Sequence, residues 1–229
     1  MISADIILYA FLGGVLPALV WLAFWLHEDY KNPEPRGLIL KTFLLGMLAV
    51  ILVLPFQKIV DIWFPGTMLI TIILWVVLEE VFKFVAAFFG GLRSFEDNEP
   101  IDPIIYMITA ALGFVALENT LFIFSPLISE DITSVIVTGN LRFMGASLLH
   151  ILSSGIIGVF LAFSFYKPKS ARIILVSFAL VLAIAFHTGF NLLIIYWDNF
   201  GAMLAFVSVW IGIIILLLAF EKAKTITQY

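Results

Sequence analysis

The sequence has no cysteine and few charged residues. The absence of cysteine excludes disulfides, thiolate metal sites and cysteine nucleophiles. Only 12% of the 229 residues are charged and 63% are hydrophobic, whereas a soluble domain is about a quarter charged. Such a chain has too little polar surface to cover a soluble globule of its size. We therefore expect lipid to be the solvent for most of it.

The hydrophobic residues are grouped into long runs that short polar breaks separate. A membrane-spanning helix needs about 20 mostly apolar residues, and seven runs approach or exceed that length. They cover approximately residues 5–26, 38–60, 66–90, 103–124, 141–166, 171–197 and 201–221. The first run is too long for an ordinary signal peptide and is interpreted as a retained helix. The sequence predicts an all-α, polytopic transmembrane helical bundle of about seven spans, with residues 1–229 forming one domain.

The predicted connections are mostly short. Residues 125–140 make the longest one, an expected loop with Glu130 and Asp131, and residues 198–200 alone separate the last two spans. Nine of the twelve lysines and arginines lie in or beside loops one, three and five or the C-terminal tail, and two lie near loops two and four. Because cytoplasmic loops carry the excess of cations, the C-terminus is predicted to be cytoplasmic and the N-terminus outside.

Polar residues inside the apolar runs are the main functional signal, because ionisable groups at membrane depth are rare and usually functional. The third run carries Glu79, Glu80 and Lys83, the fourth Glu118, the fifth His150, and the sixth His187 and Asn191. Counted from the outer helix ends, the carboxylates and histidines lie about 6 to 13 residues deep, or roughly 9 to 20 Å at 1.5 Å per residue. We expect them to meet in one layer in the outer half of the bilayer.

The residue types suit hydrolysis. Helical spacing lets Lys83 pair with either Glu79 or Glu80, and places Asn191 on the same face as His187. Carboxylates and imidazoles can bind a zinc ion that keeps one position for water. They can also work without a metal, as a general base and its histidine partner. An amide such as that of Asn191 can donate a hydrogen bond to the oxyanion of amide hydrolysis.

These residues resemble the ordered motifs of the PrsW family of intramembrane proteases, which is related to the CAAX-protease and Abi superfamily. The resemblance covers about residues 75–191, inside a motif-bearing core of about 66–197. It rests on Glu79-Glu80-x-x-Lys83, Phe114-x-x-x-Glu118-Asn119, Arg142 followed by His150, and His187-x-x-x-Asn191. Glu118 stands where the wider superfamily commonly has a histidine, so the role of that histidine is not carried over.

The resemblance implies a protease of a prokaryotic plasma membrane. Its relatives in some bacteria cleave a membrane-anchored anti-sigma factor at the extracytoplasmic side, which starts a stress response. The expected partners are therefore a membrane-anchored protein substrate and the lipid bilayer, with no nucleic acid.

The resemblance also suggests roles for the site residues. The predicted catalytic residues are Glu79, Glu80, Glu118, His150, His187 and Asn191. The predicted metal ligands are Glu80, Glu118, His150 and His187. One of Glu79 and Glu80 is expected to be the base, and the other a ligand or the partner of Lys83. Zinc is the cofactor in the metal-dependent option, and the family resemblance leaves the metal-free option open.

A different class of function also places carboxylates and histidines in membrane helices, namely a proton- or divalent-metal-coupled transporter. A transporter is expected to show polar groups at successive depths, commonly with internal repeats. Here the polar groups cluster at one level and no repeat is visible, which favours the protease.

Two further polar residues of the motif-bearing core have structural interpretations. Asn119 is expected to link helices, and Arg142 at a helix end is expected to extend to the membrane interface.

Overall fold

Lipid cannot satisfy backbone hydrogen bonds, so a chain this apolar must satisfy them within helices. The computed structural model describes residues 4–129 and 131–227, and all regular structure in these ranges is helical. The helices are α1 (Ala4–Glu28), α2 (Arg36–Trp63), α3 (Met68–Ala87), α4 (Asp102–Ile128), α5 (Ile132–Leu141), α6 (Ser147–Phe163), α7 (Lys169–Tyr196) and α8 (Asp198–Ala223). A π-helical turn, Phe88–Leu92, extends α3, and another, Arg142–Ala146, joins α5 to α6.

In the part of the chain that the structure describes, seven helical segments form the bundle. Within the described ranges, six are long and apolar enough to cross a membrane, with α5 and α6 counted as the single segment Ile132–Phe163. The seventh is α3, which has 20 residues and carries Glu79, Glu80 and Lys83 in its apolar run. The prediction of an all-α, polytopic transmembrane bundle is confirmed.

The stretch 125–140 is not the loop that its polar residues predict. α4 continues into it and α5 occupies most of the remainder. Asp131 caps α5, since its carboxylate accepts a hydrogen bond of 3.0 Å from the backbone N–H of Ser134. The valines, isoleucines and threonines of this stretch have low helix propensity, so composition alone does not reveal the helix. Glu130, the other acidic residue of the predicted loop, lies outside the described residues.

The break between α7 and α8 lies one residue before the predicted 198–200. Trp197 alone separates the two helices and leaves the helical conformation, with φ −129° and ψ 38°. The backbone N–H of Gly201 bonds to the carbonyl oxygen of Trp197 at 2.7 Å, so α8 begins without an intervening loop.

α4 is the central helix. Every residue from Asp102 to Ala116 is buried, as expected for a helix that is apolar on all sides, and α1, α2, α3 and α6 pack around it. Glycine permits the close crossing of α2 and α4. A Cβ on Gly46 would collide with the carbonyl oxygen of Ala110, and a Cβ on Gly113 with that of Phe43.

A second polar group of residues lies at the N-terminal end of α4. Asp29, Glu34 and Asp102 are all buried there. The hydroxyl of Tyr106 donates to Glu34, and Asp102 accepts from two backbone N–H groups of the preceding loop at 2.8 and 2.6 Å. Burial raises the pKa of Asp29 to about 7 and that of Glu34 to about 8.

Candidate active site

The three charged residues of α3 lie inside the bundle. Glu80 and Lys83 are completely buried, and Glu79 is 8% exposed. Nζ of Lys83 lies 2.6 Å from Oε1 of Glu80, one helical turn away. Helical spacing allows Lys83 to pair with Glu79 or Glu80, and in the structure it is paired with Glu80.

His187 of α7 contacts both glutamates. Its Nδ1 lies 2.6 Å from Oε1 of Glu80, and its Nε2 lies 3.7 Å from Oε2 of Glu79. An ionised carboxylate only accepts hydrogen bonds, so Nδ1 carries the proton and donates it to Glu80. Nε2, on the other side of the ring, faces Glu79, and in the neutral imidazole it carries the lone pair.

Glu79 is also held from α2. Nε2 of Gln57 donates to Oε1 of Glu79 at 3.0 Å, and the indole N–H of Trp75 bonds to the backbone carbonyl of Gln57 at 3.2 Å. The second oxygen of Glu79 is the one that faces His187. One oxygen is thus used for positioning, while the other points into the cluster.

His150 of α6 lies between Lys83 and Glu118. Nζ of Lys83 is 3.0 Å from its Nδ1, and Oε2 of Glu118 is 3.2 Å from its Nε2. An ammonium group has no acceptor, so Nδ1 accepts from Lys83 and Nε2 donates to Glu118. The His150 ring packs against Phe114 and meets the His187 ring edge to face, with centroids 5.0 Å apart.

Glu118 forms an ion pair with Arg142, the first residue of the π-helical turn before α6. Nε of Arg142 donates to Oδ1 of Asn119 at 2.5 Å, and the guanidinium lies 3.8 Å from the centre of the Phe122 ring. Arg142 therefore turns into the bundle instead of extending to the membrane interface as predicted. Asn119 also donates to Oγ of Ser147 on α6 at 3.3 Å, which confirms its predicted role in linking helices.

The structure brings together five of the six predicted catalytic residues. Glu79, Glu80, Glu118, His150 and His187 belong to one continuous set of contacts from four helices. The sixth, Asn191, is half-buried one turn beyond His187 and outside the contacts described above. Sequence reasoning missed Gln57, although an amide within the apolar run of α2 was a usable signal.

Three of these residues have the donors and spacing of a metal site. One oxygen of Glu79 and one nitrogen each of His150 and His187 lie within 4.8 Å of one another. Two histidines and a glutamate form a known zinc set with an open position for water. Glu80 would support it, because ligating histidines usually donate their other N–H to a carboxylate. Lys83 and Glu118 hold both nitrogens of His150, so metal binding there would displace one of these contacts.

Two of the four predicted metal ligands, Glu80 and Glu118, lie outside this group, and Glu79 belongs to it without having been predicted as a ligand. Glu80 accepts from Lys83 and His187, and Glu118 is paired with Arg142 and His150. Glu79 and the two histidines therefore form the donor set that fits a metal ion. Glu80 and Glu118 are the carboxylates that orient the two histidines.

Comparison with known proteins gives a consistent assignment. A family model described as PrsW family intramembrane metalloprotease matches residues 34–219. The chain is 25% identical over 221 residues to Protease PrsW of Halalkalibacterium halodurans, which covers 94% of this chain and 96% of the relative. It is 27% identical over 207 residues to Protease PrsW of Oceanobacillus iheyensis, covering 87% and 90%. The Protease PrsW of Bacillus subtilis is 23% identical over 189 residues, covering 82% and 83%. No solved structure matches the chain.

Proposed function

The chain belongs to the PrsW family of intramembrane metalloproteases, and we propose that it hydrolyses a peptide bond of a membrane-anchored protein near the outer side of the bilayer. Membership makes it a peptidase and a multi-pass protein of the bacterial cell membrane. The observation that carries the proposal is the buried cluster of Glu79, His150 and His187. An anti-sigma factor is the proposed substrate class, and residues 1–229 are proposed to act as one membrane domain.

In the metal-free option of this proposal, Glu79 activates the water that attacks the scissile carbonyl. Its Oε2 takes a proton from the water and later passes it to the leaving amine. Gln57 holds the other oxygen, so the carboxylate keeps its direction during the transfer. Glu80 is a positioning residue in the proposal, because it holds His187 with Nε2 facing Glu79.

In the metal-dependent option, Glu79, His150 and His187 would hold a zinc ion, with Glu79 as a ligand and not the base, and the zinc would supply Lewis-acid polarisation of the water and the carbonyl. Glu118 and Lys83 orient His150 through its two nitrogens. Asn191, on the face of His187, is proposed to donate to the oxyanion. A dry, prearranged set of donors stabilises developing charge better than water does, which agrees with the burial of the cluster.

The outer location follows from the predicted orientation, in which the cation-rich loops are cytoplasmic. The test is a single-pass reporter protein reconstituted with the enzyme in liposomes, with the cleavage position read by mass spectrometry. We expect the cut in the half of the reporter helix nearest the extracytoplasmic side. A cut in the cytoplasmic half would contradict the orientation.

The same assay tests the residues. We expect Glu79→Gln and His187→Ala to lower kcat by about 100-fold or more, the usual effect of losing a general base. The matched control is Glu96→Gln, which changes the same residue type at an exposed position outside the cluster. Wild-type cleavage by Glu79→Gln would contradict its role as base.

Metal analysis of the detergent-purified protein separates the two mechanisms. The comparison is between the wild type and a variant with both His150→Ala and His187→Ala. About one zinc per wild-type chain, lost in the variant, would establish the zinc mechanism. A wild type that cleaves the reporter without bound metal would establish the metal-free glutamate and histidine mechanism.

A further inference from the structure

α1 and α2 follow each other in the chain, yet both pack mainly on α4. Between them lies an open cavity of about 700 Å³. Its walls are apolar side chains of the two helices, from Phe11 and Met47 at the deep end to Leu26 and Ile39 near the mouth. We call this cavity the α1–α2 groove.

The mouth of the groove is polar. His27 and Glu34 line it beside Arg36, and both His27 and Arg36 are exposed. Glu34 is turned inward, where it accepts the hydrogen bond of Tyr106. Because burial raises the pKa of Glu34 to about 8, this carboxyl is mostly uncharged at neutral pH. Arg36 therefore sets the charge of the mouth.

The dimensions of the groove fit a lipid chain. The lining positions extend over 17 residues of α1, from Phe11 to His27, and 12 of α2, from Arg36 to Met47, or about 24 and 17 Å along the two helices at 1.5 Å per residue. An acyl chain of 16 carbons takes roughly 500 Å³ if each carbon fills about the volume of a water molecule.

We propose that the α1–α2 groove is a binding site for an anionic glycerophospholipid. An acyl chain occupies the apolar groove, and the phosphate lies against Arg36 at the mouth, with the His27 imidazole as a second donor. Arginine suits this position because its guanidinium forms paired hydrogen bonds with phosphate oxygens. The site is separate from the Glu79, His150 and His187 cluster, so its failure would leave the proposed function untouched.

The headgroup is tested by native mass spectrometry of the detergent-purified full chain. The probes are dioleoyl phosphatidylglycerol and dioleoyl phosphatidylcholine, which differ only in the headgroup. We expect one retained phosphatidylglycerol and several-fold weaker retention of phosphatidylcholine. Arg36→Ala should weaken phosphatidylglycerol binding about fivefold, as the loss of one cation near an anionic headgroup predicts. Arg93→Ala, the same change at another exposed arginine, should have no effect.

The groove itself is tested by filling it. Ala23 lines the groove and is exposed, so Ala23→Trp should block the acyl chain without disturbing a packed core. Val20→Trp on the exposed face of the same helix, outside the groove, is the control. Equal retention of the two lipids, or wild-type retention by Ala23→Trp, would overturn the proposal and indicate only non-specific surrounding lipid. A third result would also overturn the proposal. If a photocrosslinking residue at position 43 captured the reporter helix, and no phosphatidylglycerol were retained, the groove would bind a substrate helix.

Discussion

Oε1 of Glu80 lies 2.6 Å from Nδ1 of His187, although the two residues are 107 positions apart in the chain. This contact fixes the imidazole so that Nε2 faces Glu79. We expect Glu80→Gln to lower kcat by about 10- to 100-fold with little change in KM, the typical effect of losing a partner that orients a histidine. The measurement is steady-state cleavage of the reporter, with Glu96→Gln as control. An unchanged kcat would show that Glu80 does not position His187.

The ion pair of Arg142 and Glu118 should contribute to stability as well as to the site. Breaking a fully buried pair is unfavourable by about 3–5 kcal/mol, but these side chains are 15% and 17% exposed. We therefore expect Arg142→Met to lower the free energy of unfolding by about 2 kcal/mol. Thermal unfolding in detergent measures it, with Arg93→Met as the matched exposed control. Adding Glu118→Gln should restore part of the loss, and no recovery would mean that the two residues act independently.

The crossing of α2 and α4 should not tolerate side chains at its glycines. Gly46→Ala and Gly113→Ala each place a Cβ against a backbone carbonyl of the other helix. We expect each to destabilise the protein by about 1–3 kcal/mol, the usual range for overpacking. Gly37→Ala is the control, because a Cβ there meets nothing within 4 Å. Equal melting temperatures for all three variants would show that the helices can separate without loss.

The buried Asp29 should make stability depend on pH. Its pKa rises from 3.8 to about 7 on folding, mainly through burial. Between about pH 4 and pH 7 the unfolded chain binds fewer protons than the folded one, so the free energy of unfolding falls as the pH rises. Asp29→Asn should therefore raise Tm over the wild type more at pH 8 than at pH 4. Asp61→Asn, at an exposed aspartate, is the control. A Tm difference independent of pH would contradict this account.

The helices themselves were predictable because lipid leaves the backbone few alternatives. The meeting of Glu79, Glu80, Glu118 and His187 was also predictable, since their distances from the helix ends place them at one level. Depth along a helix can be counted in the sequence.

Rotation about the helix axis and contacts between distant helices cannot be counted in the same way. Spacing allowed Lys83 to pair with Glu79 as well as Glu80, and only the packing of α3 decided between them. Arg142 was predicted to extend to the interface because it lies at a helix end. The direction of such a side chain depends on its neighbours, which here are Glu118 and Asn119. α5 was missed because its cap and its junction with α6 outweigh its low helix propensity.

The central position of α4 also bears on the order in which the protein is assembled. α1 and α2 leave the ribosome first, yet the helix on which both pack ends only at Ile128. Gly14 of α1, where an added Cβ would collide with Ala116 and Thr120 of α4, and Gly46 of α2 have no partner helix until α4 is inserted. Insertion into the membrane and assembly of the bundle are therefore separate events. α1, α2 and α3 cannot complete their packing until α4 has entered the bilayer.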